Sequence, residues 1–170
     1  MSELASSFAS GFVHPLHGAD HLVAMLAVGV WGAQAGSRAI RVWPAAFVAA
    51  MLAGFAIATS GVGIPLVEPA IWSSVVVLGL VVALAVNAPL WLGAAIIGLF
   101  ALFHGHVHGT ENASGNLVAY AIGLAAATGA LHAAGIGLCR AATSSSARVA
   151  VRLLGAVASF GGIVAMVVLA

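Results

Sequence analysis

The octet HPLHGADH, which begins at His14, places three histidines and one aspartate in eight consecutive residues of a chain with few polar side chains. Imidazole nitrogens bind zinc, copper, iron and nickel, and a carboxylate adds negative charge to such a site. If the octet is helical, His14, His17 and His21 share one face at i, i+3, i+7 spacing, and Met25 extends that face. Asp20 lies beside His21 and can contribute to the same site. The octet therefore predicts a site for a transition-metal cation.

A second cluster, FHGHVHGTE, begins at Phe103 and contains His104, His106, His108 and Glu111. On a helix, His104 and His108 stack one turn apart, whereas His106 points to the other side. The helix C-terminus expected here carries a partial negative charge, which favours a bound cation. The two clusters together offer nitrogen and oxygen ligands without a thiolate. This donor set suits Ni(II) or Cu(II), while four-coordinate Zn(II) stays open.

Several of these residues have a structural alternative. His14 and His17 could lie at a membrane interface or cap a helix, and Met25 could serve packing alone. His132 is separate from both clusters and follows Asn116 by sixteen residues, about 24 Å along a helix. It is either a satisfied buried imidazole or a relay ligand or proton carrier. We therefore assign a secondary metal or pathway role to four residues: His17, Met25, His106 and His132.

The composition indicates that these residues are positioned by helices in a lipid bilayer. Hydrophobic residues make up 63% of the 170 residues, charged residues make up 5%, and the mean hydropathy is +1.18. A soluble domain carries about 25% charged residues, so this chain cannot build a water-facing surface. We expect a single all-α domain over residues 1–170, a polytopic membrane bundle of six transmembrane helices. Their predicted spans are about 15–36, 44–61, 69–87, 89–108, 117–139 and 148–169.

Several function classes are disfavoured by what the sequence lacks. It contains no lysine and no basic run, so we expect no nucleic-acid partner. It has no GxxxxGK[ST] motif for ATP-driven work and no HExxH pair for a metal hydrolase. The single cysteine, Cys139, excludes a disulfide within the chain. We expect no catalytic residue and no organic cofactor.

The charged residues predict the sidedness of the bundle. With six helices, the first, third and fifth loops share one side, and all arginines lie in or beside the first and fifth. The positive-inside rule makes that side cytoplasmic. Both termini and both histidine clusters are then periplasmic, in the inner membrane of a bacterium. The arginines are Arg38, Arg41, Arg140, Arg148 and Arg152, and the opposite side holds Glu3, Glu68 and Glu111.

Three motifs in order resemble the HupE/UreJ family of hydrogenase and urease accessory membrane proteins. They are His14-Pro15-x-x-Gly18-x-Asp20-His21 followed by Met25 and AVGVWGAQ, then FHGHVHGTE, then YAIGLAAATGALHAAGIGL. The family is associated with the entry of nickel, sometimes cobalt, into cells that mature nickel–iron hydrogenase or urease. His17 occupies a position that the family motif leaves open. The resemblance implies as metal residues His14, Asp20, His21, His104, His108 and Glu111, with His132 in the third motif.

Three functions stay open on the sequence. The favoured one is a permease that carries Ni(II), or else Co(II) or Zn(II), down its gradient or with the membrane potential. Cytoplasmic nickel-handling accessory proteins are its expected partners. The second is an intramembrane zinc-dependent hydrolase, in which the metal activates water. The third is a metal chaperone or sensor that binds the ion without transporting it.

Overall fold

The structure, a computed structural model, describes residues 2–112 and 115–168. Within these residues every regular element is helical, which confirms the all-α class. Among the described residues, four helices are long and apolar enough to cross a membrane, and a fifth apolar helix, Val67–Ala83, is shorter; the four are Ala39–Thr59, Leu90–Thr110, Leu117–Ala141 and Ser145–Val168. The six-span count and the sidedness stay predictions. The elements are α1 (Glu3–Val13), a 3₁₀ turn (His14–Leu16), α2 (Ala19–Ala35), α3 (Ala39–Thr59), α4 (Val67–Ala83), α5 (Leu90–Thr110), α6 (Leu117–Ala141) and α7 (Ser145–Val168).

The first histidine motif does not form one continuous helix, so its predicted start at residue 15 is wrong. The 3₁₀ turn is followed by Gly18 in an extended conformation (φ −94°, ψ 118°), and α2 begins only at Ala19. Ahead of the turn lies α1, a helix that the sequence analysis missed. The Ser2 hydroxyl caps α1 by accepting a hydrogen bond from the backbone N–H of Ala5. Ser7 on α1 is buried.

Helix α3 begins at Ala39 and not at Pro44, so the predicted start is wrong by five residues. Proline removes one backbone hydrogen bond from a helix interior. The turn before Pro44 stays helical because Ala39 and Trp43 are both buried. The Trp43 indole N–H also donates to the Leu90 carbonyl at 2.9 Å, which joins this turn to the start of α5.

Helix α4 spans Val67–Ala83 and not 69–87. The chain reverses after it through Ala85, whose φ of 49° is left-handed. This reversal lies against α2, because the Trp31 indole N–H donates to the Val86 carbonyl at 2.8 Å and the Gln34 amide donates to the Val82 carbonyl at 3.2 Å. Tertiary hydrogen bonds therefore end a helix that the apolar run alone would continue. The predicted limits of α5, α6 and α7 each differ from the observed limits by up to three residues.

Glycine brings the backbones of α3 and α5 into direct contact. A Cβ added to Gly54 on α3 would fall on the carbonyl oxygen of Leu102, and one added to Gly105 on α5 would fall on that of Met51. Small residues at helix interfaces allow such close packing where no hydrophobic effect drives association. We call these two helices the α3–α5 pair.

The same kind of contact joins α2 to α6 and α4 to α7. A Cβ on Gly29 would fall on the carbonyl oxygen of His132, and Gly79 and Gly155 face each other across the second interface. We call the first of these the α2–α6 pair. Gly11 on α1 and Gly123 on α6 make a fourth contact of this kind, so the described part of the bundle contains four helix pairs packed through glycine.

The histidine motifs and the arginines lie at opposite ends of the bundle. The end formed by the start of α2 and the end of α5 carries the histidine motifs, and we call it the histidine end. The other end, the arginine end, contains two buried indoles, Trp31 and Trp43, whose ring centroids are 4.3 Å apart. All five arginines lie at the start of α3, the end of α6 or the start of α7: Arg38, Arg41, Arg140, Arg148 and Arg152.

Candidate metal centre

The 3₁₀ turn and the last turn of α5 meet at the histidine end. The Nε2 atom of His14 lies 3.2 Å from a carboxylate oxygen of Glu111, and the His14 ring is 4.9 Å from the ring of His108 between centroids. Ligand atoms of His14, His108 and Glu111 all lie within 4.8 Å of one another. This spacing allows one cation to contact all three residues.

The contacts continue from α5 to α2. The centroid of the His21 ring lies 4.4 Å from that of His108 and 4.8 Å from that of His104. His104 and His108 are fully buried, and His21 is 8% exposed. The structure thus brings together all six residues of the predicted primary site. We call them the histidine cluster: His14, Asp20, His21, His104, His108 and Glu111.

The tautomer of the neutral His21 ring is set by its neighbour in the chain. The Nδ1 atom of His21 lies 2.9 Å from a carboxylate oxygen of Asp20. An ionised carboxylate only accepts hydrogen bonds, so Nδ1 carries the proton and Nε2 of the neutral ring keeps its lone pair. That Nε2 atom is buried and has no hydrogen-bond partner among the described residues. Carboxylates fix the orientation of metal-binding imidazoles in this way.

Ser74 on α4 determines which ring nitrogen of His104 carries the proton, as Asp20 does for His21. The sequence analysis missed Ser74. Its hydroxyl donates to the Ile71 carbonyl at 2.6 Å and lies 2.9 Å from Nε2 of His104. Since its single hydrogen is committed to Ile71, the hydroxyl oxygen accepts from Nε2–H of His104. The Nδ1 lone pair of His104 is therefore free, and no described group bonds to it. A serine in an apolar helix gives no sequence signal for this role.

Replacing Ser74 by alanine is expected to weaken Ni(II) binding by about 10-fold to 100-fold, the range for partners that orient metal ligands. Without its acceptor, His104 can place the proton on Nδ1 and lose the free lone pair. Isothermal titration in nanodiscs measures the affinity. The matched control is Ser73→Ala, because among the described residues the Ser73 hydroxyl bonds only to the Pro69 carbonyl of its own helix. Equal affinities of the two variants would contradict the assignment.

An acidic cavity of about 210 Å³ opens beside the histidine cluster. Its lining includes three carboxylates (Asp20, Glu68 and Glu111) together with His21. The chain contains only four acidic residues, so this concentration of negative charge will attract cations from solution. The sequence analysis used Glu68 for sidedness only, because its distance from the histidine motifs along the chain gives no sign of this contact.

The four secondary residues lie in different environments. His17 ends the 3₁₀ turn and is exposed. His106 is buried and faces away from the cluster, with Nε2 lying 3.0 Å from the Val62 carbonyl and 3.2 Å from the Ile64 backbone nitrogen. It therefore fastens the loop between α3 and α4. Met25 and His132 are buried deeper in the bundle, on α2 and α6.

Comparison with known proteins agrees with the motifs. The chain matches the family model described as HupE / UreJ protein over residues 1–165. It is 40% identical over 154 residues to Protein HupE of Rhizobium leguminosarum bv. viciae, covering 90% of this chain and 81% of that protein. No solved structure was found to match the chain. From its motifs and from both sequence matches, the chain belongs to the HupE / UreJ family.

Proposed function

We propose that the protein is an integral membrane transporter, and not an enzyme, that takes up a divalent transition metal. The ion is Ni(II), with Co(II) as a close alternative, and it moves from the periplasm to the cytoplasm of a bacterium. There it supplies the maturation of hydrogenase or urease through cytoplasmic nickel-handling proteins. The observation that carries the proposal is the histidine cluster: the buried rings of His21 and His104 pack beside His108, each with a ring nitrogen that has no described partner, and ligand atoms of His14, His108 and Glu111 lie within 4.8 Å of one another.

The donor set favours a borderline divalent metal. Imidazole suits nickel, zinc and copper, whereas magnesium and calcium prefer oxygen ligands alone. Buried histidines without partners are costly inside a membrane, and a bound cation removes that cost by using their lone pairs. A bound Ni(II) would take the place of the 3.2 Å contact between Nε2 of His14 and the Glu111 carboxylate.

The driving force that we propose is the membrane potential. Moving one charge across 100 mV changes its free energy by about 2.3 kcal/mol, so a dication gains about twice that. The sequence has no nucleotide-binding motif that would supply another source of energy.

Ni(II) uptake into proteoliposomes tests the proposal. Wild-type protein should take up Ni(II), faster with an inside-negative potential, and His21→Ala should reduce uptake by about 100-fold or more because it removes a ligand and not merely an orienting partner. The matched control is His17→Ala, from the same octet but exposed. Tight Ni(II) binding without uptake would instead favour the non-transporting chaperone. Equal uptake by His21→Ala and wild type would reject the histidine cluster as the entry site.

A further inference from the structure

A second group of potential metal ligands lies deeper in the bundle. The hydroxyl of Thr128 on α6 lies 3.6 Å from the sulfur of Met25 on α2 and 3.5 Å from the sulfur of Met51 on α3. All three side chains are fully buried. Three helices thus direct two thioethers and one hydroxyl to a single point.

This point has more acceptors than donors. The hydroxyl of Thr128 has one hydrogen and can satisfy only one of the two sulfurs at a time. One thioether therefore always keeps its lone pairs free. Thioethers and imidazoles are ligands for soft and borderline metals, so a cation of that class would bind the thioether lone pairs that Thr128 leaves free.

His132 lies one helical turn beyond Thr128, on the same face of α6. It is 1% exposed, and neither ring nitrogen has a hydrogen-bond partner in the described part of the chain. Residues one turn apart on a helix face have Cβ atoms about 5–6 Å apart. An ion held near Thr128 would therefore move only a short distance to reach His132. An imidazole that is buried and entirely unpaired is costly in an apolar interior.

Phe47 separates this group from the histidine cluster. Its ring is fully buried and contacts two imidazoles, that of His104 at 5.8 Å and that of His132 at 5.0 Å between centroids. His104 belongs to the histidine cluster, whereas His132 does not. The two groups of ligands are thus adjacent but divided by an aromatic ring.

We propose that Met25, Met51, Thr128 and His132 form a second metal site inside the membrane, which receives the ion from the histidine cluster. We call it the inner site. The inference rests on the proposed transport of a borderline divalent metal and adds a second site and a basis for selectivity. None of its four residues carries a carboxylate, so the inner site discriminates against Mg(II) and Ca(II), which require oxygen ligands. The acidic cavity at the histidine end lacks this discrimination.

X-ray absorption at the nickel edge tests the inner site directly. Purified protein in nanodiscs, loaded with two equivalents of Ni(II), should show sulfur scattering in a Cys139→Ser background. The signal should disappear in the double variant Met25→Leu/Met51→Leu and persist in Met166→Leu, the matched control on α7. Leucine replaces methionine at nearly constant volume, so the bundle is expected to fold. Absence of sulfur in the wild-type spectrum, or its persistence in the double variant, would overturn the inner site.

Uptake into proteoliposomes separates this inference from the proposed function. The double variant should take up Ni(II) about 10-fold to 100-fold more slowly than wild type, the range expected when metal affinity at a supporting site is lost. Met166→Leu should match wild type. If the wild-type protein shows sulfur scattering but takes up no Ni(II), transport is rejected and the inner site stands. If the double variant takes up Ni(II) at the wild-type rate, the inner site is rejected as a step of transport, and transport itself stands.

Discussion

Alanine in place of His108 is expected to weaken Ni(II) binding by about 100-fold or more, because a ligand contributes at least as much as the partners that orient ligands. His108 is central to the histidine cluster, because its ring contacts those of both His14 and His21. It is fully buried, and neither of its nitrogens bonds to any described group. No other residue of the cluster leaves both ring nitrogens free and buried.

Equilibrium Ni(II) titration in nanodiscs measures this loss, with circular dichroism to verify that the variant is folded. Removing an unpaired imidazole leaves no broken hydrogen bond behind, so His108→Ala should keep its helicity. His17→Ala should bind Ni(II) with wild-type affinity, since His17 is exposed. If His108→Ala binds as tightly as His17→Ala, the geometry of the cluster has no role in binding.

Gly54→Ala is expected to lower the free energy of unfolding by about 3 kcal/mol, at the upper end for overpacking. The added Cβ would fall on the carbonyl oxygen of Leu102. That oxygen belongs to the backbone of α5, so it cannot rotate away as a side chain would. The two helices must separate, which also moves the turn of α5 that carries His104.

The control for this variant is Gly98→Ala, in the middle of α5. A Cβ at Gly98 meets only the Cβ of Ala50, at 3.9 Å, which is an ordinary contact. Thermal unfolding in detergent should show wild-type or slightly higher stability for Gly98→Ala, because alanine is a better helix former than glycine. Similar melting of the two variants would mean that the α3–α5 contact is less tight than the structure has it.

The residues of the histidine cluster were accessible to sequence reasoning because two short motifs contain them all. Their contact was also predictable, since both motifs fall at helix ends expected on one side of the membrane. The prediction that His14, His17 and His21 share one helical face was less accurate. It required a helix from His14 to Met25, whereas Gly18 interrupts the helix and leaves His17 exposed.

The remaining parts of the site depend on contacts that no local pattern records. From α4, which has no histidine, Ser74 contacts His104 and Glu68 lines the cavity beside the cluster. Pro44 was misread because proline favours a first helical turn, and burial of Trp43 outweighed that preference. Thr128 was missed because a threonine in an apolar helix is unremarkable until two sulfurs are placed beside it.

The glycine contacts have a consequence for the route of an ion. Within the α2–α6 and α3–α5 pairs, backbone meets backbone and leaves no room for a cation. The histidine cluster takes His21 from one pair and His108 from the other, and the inner site likewise combines Met25 with Met51. Both sites therefore lie on the boundary between these two helix pairs. A small tilt of one pair on the other would widen this boundary at the histidine end while narrowing it beside the tryptophans, and the reverse tilt would do the opposite.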